Sequence, residues 1–155
     1  MGKVLVAYYS LDGATADMAR QIQARCGGDI FELKPLKPYG KLTAYARGIP
    51  EIKTGVKPPL KNDADIAPYD IIFIGGPVWA FDVTPPVATF LSKHDFSGKT
   101  IAPFCTHQGM PLKYFEHFAK ACKDAKITQG LALSLKTLKD KEAAAKAIEQ
   151  WVKTI

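Results

Sequence analysis

The sequence has few cysteines, and they lack the spacing that would give them a joint role. Cys26, Cys105 and Cys122 are the only three in 155 residues, and none belongs to a CxxC pair. An odd number of widely separated cysteines argues against both a disulfide framework and a zinc site. We therefore expect reduced, mostly buried thiols and no metal centre.

Long apolar runs are also lacking. The longest nearly unbroken one, residues 71–81, contains two glycines and a proline, and it is about half the roughly 20 residues that span a bilayer. Residues 4–9 are apolar but too few for a secretory signal, and no small-residue cleavage site follows them. We expect no membrane span and a cytoplasmic protein.

Positive charge is confined to two parts of the chain. The net charge is +6, yet residues 34–61 alone carry +6 and residues 120–155 carry +4, whereas residues 1–33 and 62–119 carry −1 and −3. A basic chain invites a nucleic-acid interpretation. No nucleic-acid-binding motif is present, however, and the aromatic residues form no stacking series on a pair of strands. We expect no nucleic-acid partner.

Five short apolar runs alternate with segments of helical period. The predicted strands are residues 3–9, 29–33, 70–75, 100–105 and about 127–135, and this alternation is typical of a parallel sheet built from βαβ units. The first and third runs are apolar at every central position, as strands covered on both faces require. The second and fifth runs mix in polar or small residues and belong at the edges. The sequence therefore predicts one domain, residues 1–155, with an α/β fold: a three-layer, doubly wound, parallel five-stranded sheet in the order 2-1-3-4-5.

The predicted helices begin at recognisable start signals. One begins at Thr15, one follows Thr84 as its N-cap residue, and others begin at Pro111 and near Asp140. The apolar face of the helix at Pro111 is predicted to hold Leu112, Phe115, Ala119 and Cys122.

Two proline-containing segments are less regular. Residues 34–68 contain six prolines, and we expect at most one short helix there, around residues 42–48. Pro103 lies in the fourth predicted strand, where it lacks the N–H that an interior strand uses.

The loop after the first strand is suited to an anion. In a parallel sheet of this order, ligands bind beyond the carboxyl ends of the strands, between the first and third. Free backbone N–H groups, a helix dipole and hydroxyl groups meet there, which favours a phosphate. Ordinary helix capping is the alternative explanation. The candidate residues are Ser10, Asp12, Gly13, Ala14 and Thr15.

The loops after the third and fourth strands are suited to a planar ring. Trp79 at the rim of a crevice can stack on such a ring, whereas Phe81 can equally cap the core. His107 is a candidate acid–base or ligand-binding group, or simply a histidine at a helix start. The candidate residues are Pro77, Val78, Trp79, Ala80 and Phe81 in one loop and Thr106, His107, Gln108 and Gly109 in the other.

These motifs together resemble the flavodoxin family, in its short bacterial branch. They are Tyr9-Ser10-x-x-Gly13-x-Thr15, then Tyr69-Asp70-x-Ile72-x-x-Gly75-x-Pro77-x-Trp79, then Phe104-x-Thr106-His107-x-Gly109 after Gly98-Lys99. The resemblance covers nearly the whole chain. It implies one non-covalent FMN, with its phosphate in the first loop and its isoalloxazine between the other two, bound by the candidate residues named above.

The chain departs from this family at three places. Asp12 stands where flavodoxins usually have a threonine, and Ala14 where they often have a polar residue. A carboxylate there repels phosphate, so Asp12 must point outward or the affinity for FMN falls. The loop after the fourth strand also lacks the tyrosine that commonly covers the flavin, which leaves one face of the ring more open.

Three functions remain open at this point. The first is an FMN redox protein that passes electrons through the flavin edge and needs no catalytic side chain. The second is an FMN-dependent enzyme that reduces a quinone-like or other small acceptor with NADH or NADPH, suggested by the open face and by Tyr39, Tyr45 and Arg47. The third is a flavin-free interaction module, which Asp12 favours.

The basic segment 34–61 predicts how a partner approaches. Electrostatics chiefly steers encounter, so an acidic redox partner or a small anionic acceptor is expected on this side. The charges proposed to attract it are Lys34, Lys37, Lys41 and Arg47.

Overall fold

A parallel β-sheet forms the centre of the molecule in the computed structural model, which describes residues 2–155. Its strands are β1 (Val4–Tyr8), β2 (Asp29–Glu32), β3 (Ile71–Pro77), β4 (Thr100–His107), β5 (Lys126–Ile127) and β6 (Leu131–Ser134). They lie in the order β2-β1-β3-β4, with β5 and β6 both pairing with β4, and every pair is parallel. The predicted order 2-1-3-4-5 is confirmed.

The fifth position of the sheet is interrupted, so the prediction of one strand over residues 127–135 is wrong. The ring of Phe115 packs where a Cβ on Gly130 would lie, and Thr128 N–H donates to Ile101 O (2.9 Å). Backbone groups alternate in direction along a strand, so Pro103 directs its missing N–H to the same side as Ile101, at the gap. The proline thus occupies the one stretch of β4 where no partner strand needs its donor.

Seven α-helices surround the sheet in the described chain. They are α1 (Ala14–Cys26), α2 (Lys41–Thr43), α3 (Ile49–Thr54), α4 (Pro85–Lys93), α5 (Tyr114–Ala121), α6 (Leu135–Lys139) and α7 (Lys141–Val152). None of them, within residues 2–155, is long and apolar enough to cross a bilayer.

The side chains of β1 show how the sheet is covered on both faces. Val4, Val6 and Tyr8 point into a core formed with α1 and α7, whereas Leu5 and Ala7 point into a second core that includes α4 and α5. The strand therefore buries every position, which is why its sequence is apolar without alternation. The predicted three layers are confirmed.

The helix predicted at Pro111 begins later, at Tyr114. Leu112 has a φ of +36° and is exposed, so its predicted place on the apolar face is wrong. Tyr114 takes the buried position instead, and its hydroxyl donates to Phe104 O (2.7 Å). Thr84 stands at the N-cap position of α4, but its side chain makes no capping hydrogen bond.

The crossover between β2 and β3 is more helical than predicted. A π-helical turn (Ala44–Gly48) joins α2 to α3, so residues 41–54 form one helical segment. Pro50 lies where the π-helical turn passes into α3, so its missing N–H falls at the change of helix type. This segment lies between residues 34–36 and 59–61, which pair with each other through Pro35 and Leu60.

Candidate functional site

Three loops at the carboxyl ends of β1, β3 and β4 enclose a cavity of about 510 Å³ with the crossover helix. Most of the predicted site residues line it: Asp12, Pro77, Val78, Trp79, Ala80, Phe81, Thr106, His107, Gln108 and Gly109. Ser10, Gly13, Ala14 and Thr15 do not line it; they form the start of α1 beside it. The topology therefore brings the three loops together as the sequence predicts.

The loop before α1 satisfies its own backbone. Ser10 Oγ accepts from Gly13 N–H (3.1 Å) and from Ala16 N–H (3.2 Å). Asp12 Oδ1 accepts from Ala14 N–H (3.3 Å). Gly13 has a φ of +102°, a conformation that glycine adopts without strain. The N–H groups of Gly13, Ala14 and Ala16 at this helix start therefore already have internal acceptors.

Thr15 and Thr106 join the first loop to the end of β4. Their hydroxyl oxygens lie 2.8 Å apart, and both side chains are almost fully buried. The Thr15 hydroxyl therefore faces β4 rather than solvent, and what it offers a ligand is structural support for the loop.

Trp79 is held edge-on by two tyrosines. Its ring centroid lies 5.9 Å from that of Tyr9 and 5.3 Å from that of Tyr39, both in T-shaped arrangements. Gly48 lies under the indole, because a Cβ there would come within 2.8 Å of Trp79 Cζ3. Burial raises the pKa of Tyr9 to about 12 and also raises the pKa of Tyr39, so both rings stay neutral. The indole is thus fixed on one side and lines the cavity with the other.

Residues 79–82 form a tight turn, which we call the 79–82 turn. The N–H and carbonyl groups of Trp79 and Asp82 bond each other at 3.1 and 3.0 Å. Ala80 and Phe81 have φ values of 49° and 63°, which cost an L-residue about 1 kcal/mol or more each. Phe81 is 54% exposed at the cavity, so the interpretation that it caps the core is wrong.

Helix α5 holds this turn from outside. Lys113 N–H donates to Phe81 O (2.9 Å), and His117 Nδ1 lies 3.0 Å from Asp82 Oδ1. Burial opposes ionisation of Asp82, but hydrogen bonds from His117 and from Val83 N–H outweigh it and hold the pKa of this carboxyl below its usual value. Strain in the turn is therefore offset by contacts with α5.

The polar end of the cavity contains an unpaired atom. Nδ1 of His107 is buried and, among residues 2–155, has no hydrogen-bond partner. A buried polar atom without a partner is costly, so a ligand that bonds it gains affinity. Gln108 and Gly109 beside it are exposed and leave this end open to an incoming ring edge.

The crossover helix adds lining residues that the sequence analysis missed as part of the site. They are Lys41, Ala44, Tyr45 and Ile49, together with Leu11, Met110 and Leu135 from other segments. Lys41, Tyr45 and Ile49 are spaced four residues apart and so share one face of a helix. If the predicted helix had extended to residue 49, this spacing would have placed the three residues on one face. In the described chain, Lys41 is the one lysine or arginine on the cavity wall.

Arg47 does not belong to the cavity or to a docking face. Its guanidinium lies 4.0 Å from the centroid of Tyr39, and Nη2 donates to Lys37 O (2.7 Å). Its Nε lies 3.4 Å from Glu51 Oε1, which also accepts from the Tyr39 hydroxyl (2.8 Å). Arg47 therefore stabilises the crossover from within, and of the group with Tyr39 and Tyr45 only Tyr45 reaches the cavity.

A second cavity, of about 430 Å³, lies between α4 and α5 and is lined by His94, His117 and surface lysines. No β-strand ends at this cavity, whereas this fold binds ligands at the carboxyl ends of its strands. No three His, Cys, Asp or Glu side chains converge as metal ligands would, as far as residues 2–155 show. The cavity at the strand ends is therefore the candidate site.

Comparison with known proteins agrees with this geometry. The sequence model of the flavodoxin family matches residues 3–155. No curated protein sequence matches the chain.

Solved structures of bacterial flavoproteins are similar along nearly their whole length. A candidate flavoprotein from Bacteroides uniformis is 28% identical over 98% of both chains, with a TM-score of 0.86. One from Bacteroides eggerthii is 28% identical over 100% of this chain and 98% of its own, with a TM-score of 0.83. A Lactobacillus acidophilus flavoprotein in complex with FMN is 25% identical over 91% of this chain and 98% of its own, with a TM-score of 0.71.

Proposed function

The chain belongs to the flavodoxin family, and on this premise we propose that a single domain holds one FMN without a covalent bond and transfers electrons through it. The similar flavoprotein from Lactobacillus acidophilus was crystallised with FMN. A relative of this identity supports the same cofactor here.

The cavity at the strand ends is the observation that supports this proposal best. It combines a half-buried indole with an unpaired buried His107 Nδ1, and the loop that precedes α1 lies beside it. Apolar walls with a few convergent polar groups are typical of cofactor sites. These groups fit the three parts of FMN, which are a planar ring, a polar pyrimidine edge and a phosphate.

The residues bind and orient the cofactor, which supplies the electron transfer when bound. Trp79 would cover one face of the ring, and the segment from Thr106 to Gly109 would bond its polar edge. The loop from Ser10 to Thr15 would face the phosphate. No side chain in the cavity needs to act as an acid or base.

The visible absorption spectrum of the purified protein tests this proposal. We expect flavin bands as isolated, or quenching of FMN fluorescence when FMN is titrated into the apoprotein. His107→Ala is expected to weaken FMN binding, whereas His94→Gln, at the second cavity, is the matched control and should not. A colourless protein that quenches no flavin would instead favour the flavin-free interaction module.

Lys41 and Tyr45 favour a second candidate function, an FMN-dependent oxidoreductase. They place a cation and an exposed aromatic ring on the cavity wall, where a small anionic or quinone-like acceptor could bind beside the flavin. Steady-state oxidation of NADH or NADPH with a series of quinones tests this. Turnover no faster than that of free FMN would reject the enzyme and leave the electron carrier.

We further propose that a redox partner approaches over the exposed lysines of the crossover. Lys34, Lys37 and Lys41 are all exposed, and Arg47 is excluded because it is used internally. Charge reversal of Lys34 and Lys37 to Glu is expected to slow electron exchange with an acidic partner and flatten its salt dependence. Lys146→Glu, on α7 in the opposite layer, is the control. Equal rates in all variants would contradict this docking face.

A further inference from the structure

Asp12 occupies a hydrogen bond that a bound phosphate would need. Its Oδ1 accepts from Ala14 N–H at 3.3 Å, and the residue is exposed and lines the cavity. Ser10 Oγ takes the N–H groups of Gly13 and Ala16. Three N–H groups of the loop therefore already have acceptors when a phosphate approaches, and the acceptor of Ala14 N–H is negatively charged.

The two internal acceptors have different effects on a phosphate. The Ser10 hydroxyl is neutral and can turn to donate its own hydrogen to an anion. The Asp12 carboxylate can only accept, and it stays in the six-residue loop even after it releases Ala14 N–H. Lys41 lies on the described cavity wall, but it belongs to the crossover and not to this loop. In the described structure, no carboxylate lies within 4 Å of its amino group.

The charge of Asp12 has a calculable effect on affinity. A phosphate monoester carries about −1.5 to −2 charge near neutral pH. Repulsion from a carboxylate about 6 Å away, even in water-like surroundings, corresponds to about fivefold to tenfold in affinity. A flavin without the phosphate is not subject to it.

We propose that Asp12 determines the selectivity of this site, weakening FMN relative to riboflavin by holding Ala14 N–H and by repelling the phosphate. This inference rests on the proposed flavin-binding function. It implies that the 5′-phosphate contributes less to binding than it would without this carboxylate.

Dissociation constants for FMN and for riboflavin, measured by fluorescence quenching in the wild type and in Asp12→Asn, test the proposal. Asparagine keeps the acceptor oxygen and the shape but removes the charge. We expect Asp12→Asn to tighten FMN by about fivefold to tenfold and to change riboflavin by less than about twofold. Asp17→Asn is the matched control, because Asp17 is exposed in the first turn of α1 and bonds only Gln21 Nε2 (3.1 Å).

The outcomes separate this inference from the proposed function. An FMN-to-riboflavin affinity ratio that is the same in the wild type and in Asp12→Asn overturns the role of Asp12 and leaves flavin binding intact. An equal rise of the ratio in Asp17→Asn also overturns it, because the effect is then one of general charge. Failure of every variant to bind either flavin removes the proposed function itself.

Discussion

Replacing His117 by alanine removes one of the contacts that hold the 79–82 turn, and we expect it to loosen the turn without unfolding the protein. His117 Nδ1 lies 3.0 Å from Asp82 Oδ1, and their side chains are 29% and 25% exposed. A buried hydrogen bond to a charged group contributes about 1.5–3 kcal/mol, whereas an exposed ion pair contributes about 0.2–1 kcal/mol.

Because both side chains are partly exposed, the free energy of unfolding that is lost in His117→Ala lies between these limits, at about 1 kcal/mol. Asp82 keeps its bond from Val83 N–H (2.7 Å), so the carboxylate is not left without a donor. The corresponding fall in melting temperature is about 2–4 °C for a chain of this size. Because Trp79 belongs to the turn, the fluorescence of Trp79 should shift as well. Trp151, the other tryptophan, packs on Phe73 at the other face of the sheet and is remote from the turn.

The measurements are urea unfolding and tryptophan emission of His117→Ala and His117→Asn. Asparagine keeps a donor at the δ position and should restore most of the stability and the emission. Equal destabilisation in both variants would mean that side-chain volume, not the hydrogen bond, holds the turn. Wild-type stability and emission in His117→Ala would refute the role of His117 in holding the turn.

The same pair predicts the sign of a pH effect. The pKa of Asp82 is lowered in the folded protein, so the stability from its ionisation is present above its unfolded pKa and is lost as the pH falls through the folded value. The difference in stability between the wild type and His117→Ala should therefore shrink in acid.

Three further predictions concern the cavity and the core. Ala80→Gly relieves about 1–2 kcal/mol of left-handed strain at an entropic cost of about 0.5–1 kcal/mol, so urea unfolding should show a gain of about 0.5 kcal/mol; a loss would mean that the turn is not strained. Gly48→Ala improves helix propensity by about 1 kcal/mol but overpacks Trp79 at a cost of about 1–3 kcal/mol. The free energy of unfolding should therefore fall slightly, and the affinity for flavin should fall clearly. Unchanged affinity would show that Trp79 does not contact the flavin. Burial raises the pKa of the Cys105 thiol to about 12 and that of Cys122 to about 11, so neither should react with a thiol reagent at neutral pH until urea unfolds the protein. Cys26 is partly exposed, so the labelled sites must be identified, and rapid labelling of Cys105 or Cys122 in the native protein would contradict their burial.

The strands could be predicted where burial determines the pattern of apolar residues in the sequence. A strand covered on both faces must be apolar at every position, so β1 and β3 could be placed at the centre from sequence alone. The interruption between β5 and β6 could not, because it depends on contact between Phe115 and Gly130, which are far apart in any local window.

The candidate site was predictable to the extent that it depends on topology. Parallel strands end at the same edge, so the loops after β1, β3 and β4 had to meet. The place of Lys41 and Tyr45 on the cavity wall could not be predicted, because the prolines of the crossover conceal a helix. This helix depends on packing against Trp79 and Tyr39 through Gly48. The inward position of Arg47 likewise follows from tertiary contacts with Tyr39 and Glu51.

The broken fifth position of the sheet also has a consequence for association between chains. An exposed strand edge is a template on which another chain can add a strand. Here the outer edge beside β4 consists of segments of two and four residues. At the opposite edge, the Asn62 side chain bonds both Glu32 O (2.9 Å) and Lys34 N–H (3.0 Å). Neither edge therefore offers a long row of free backbone groups, and the fold resists edge-to-edge aggregation.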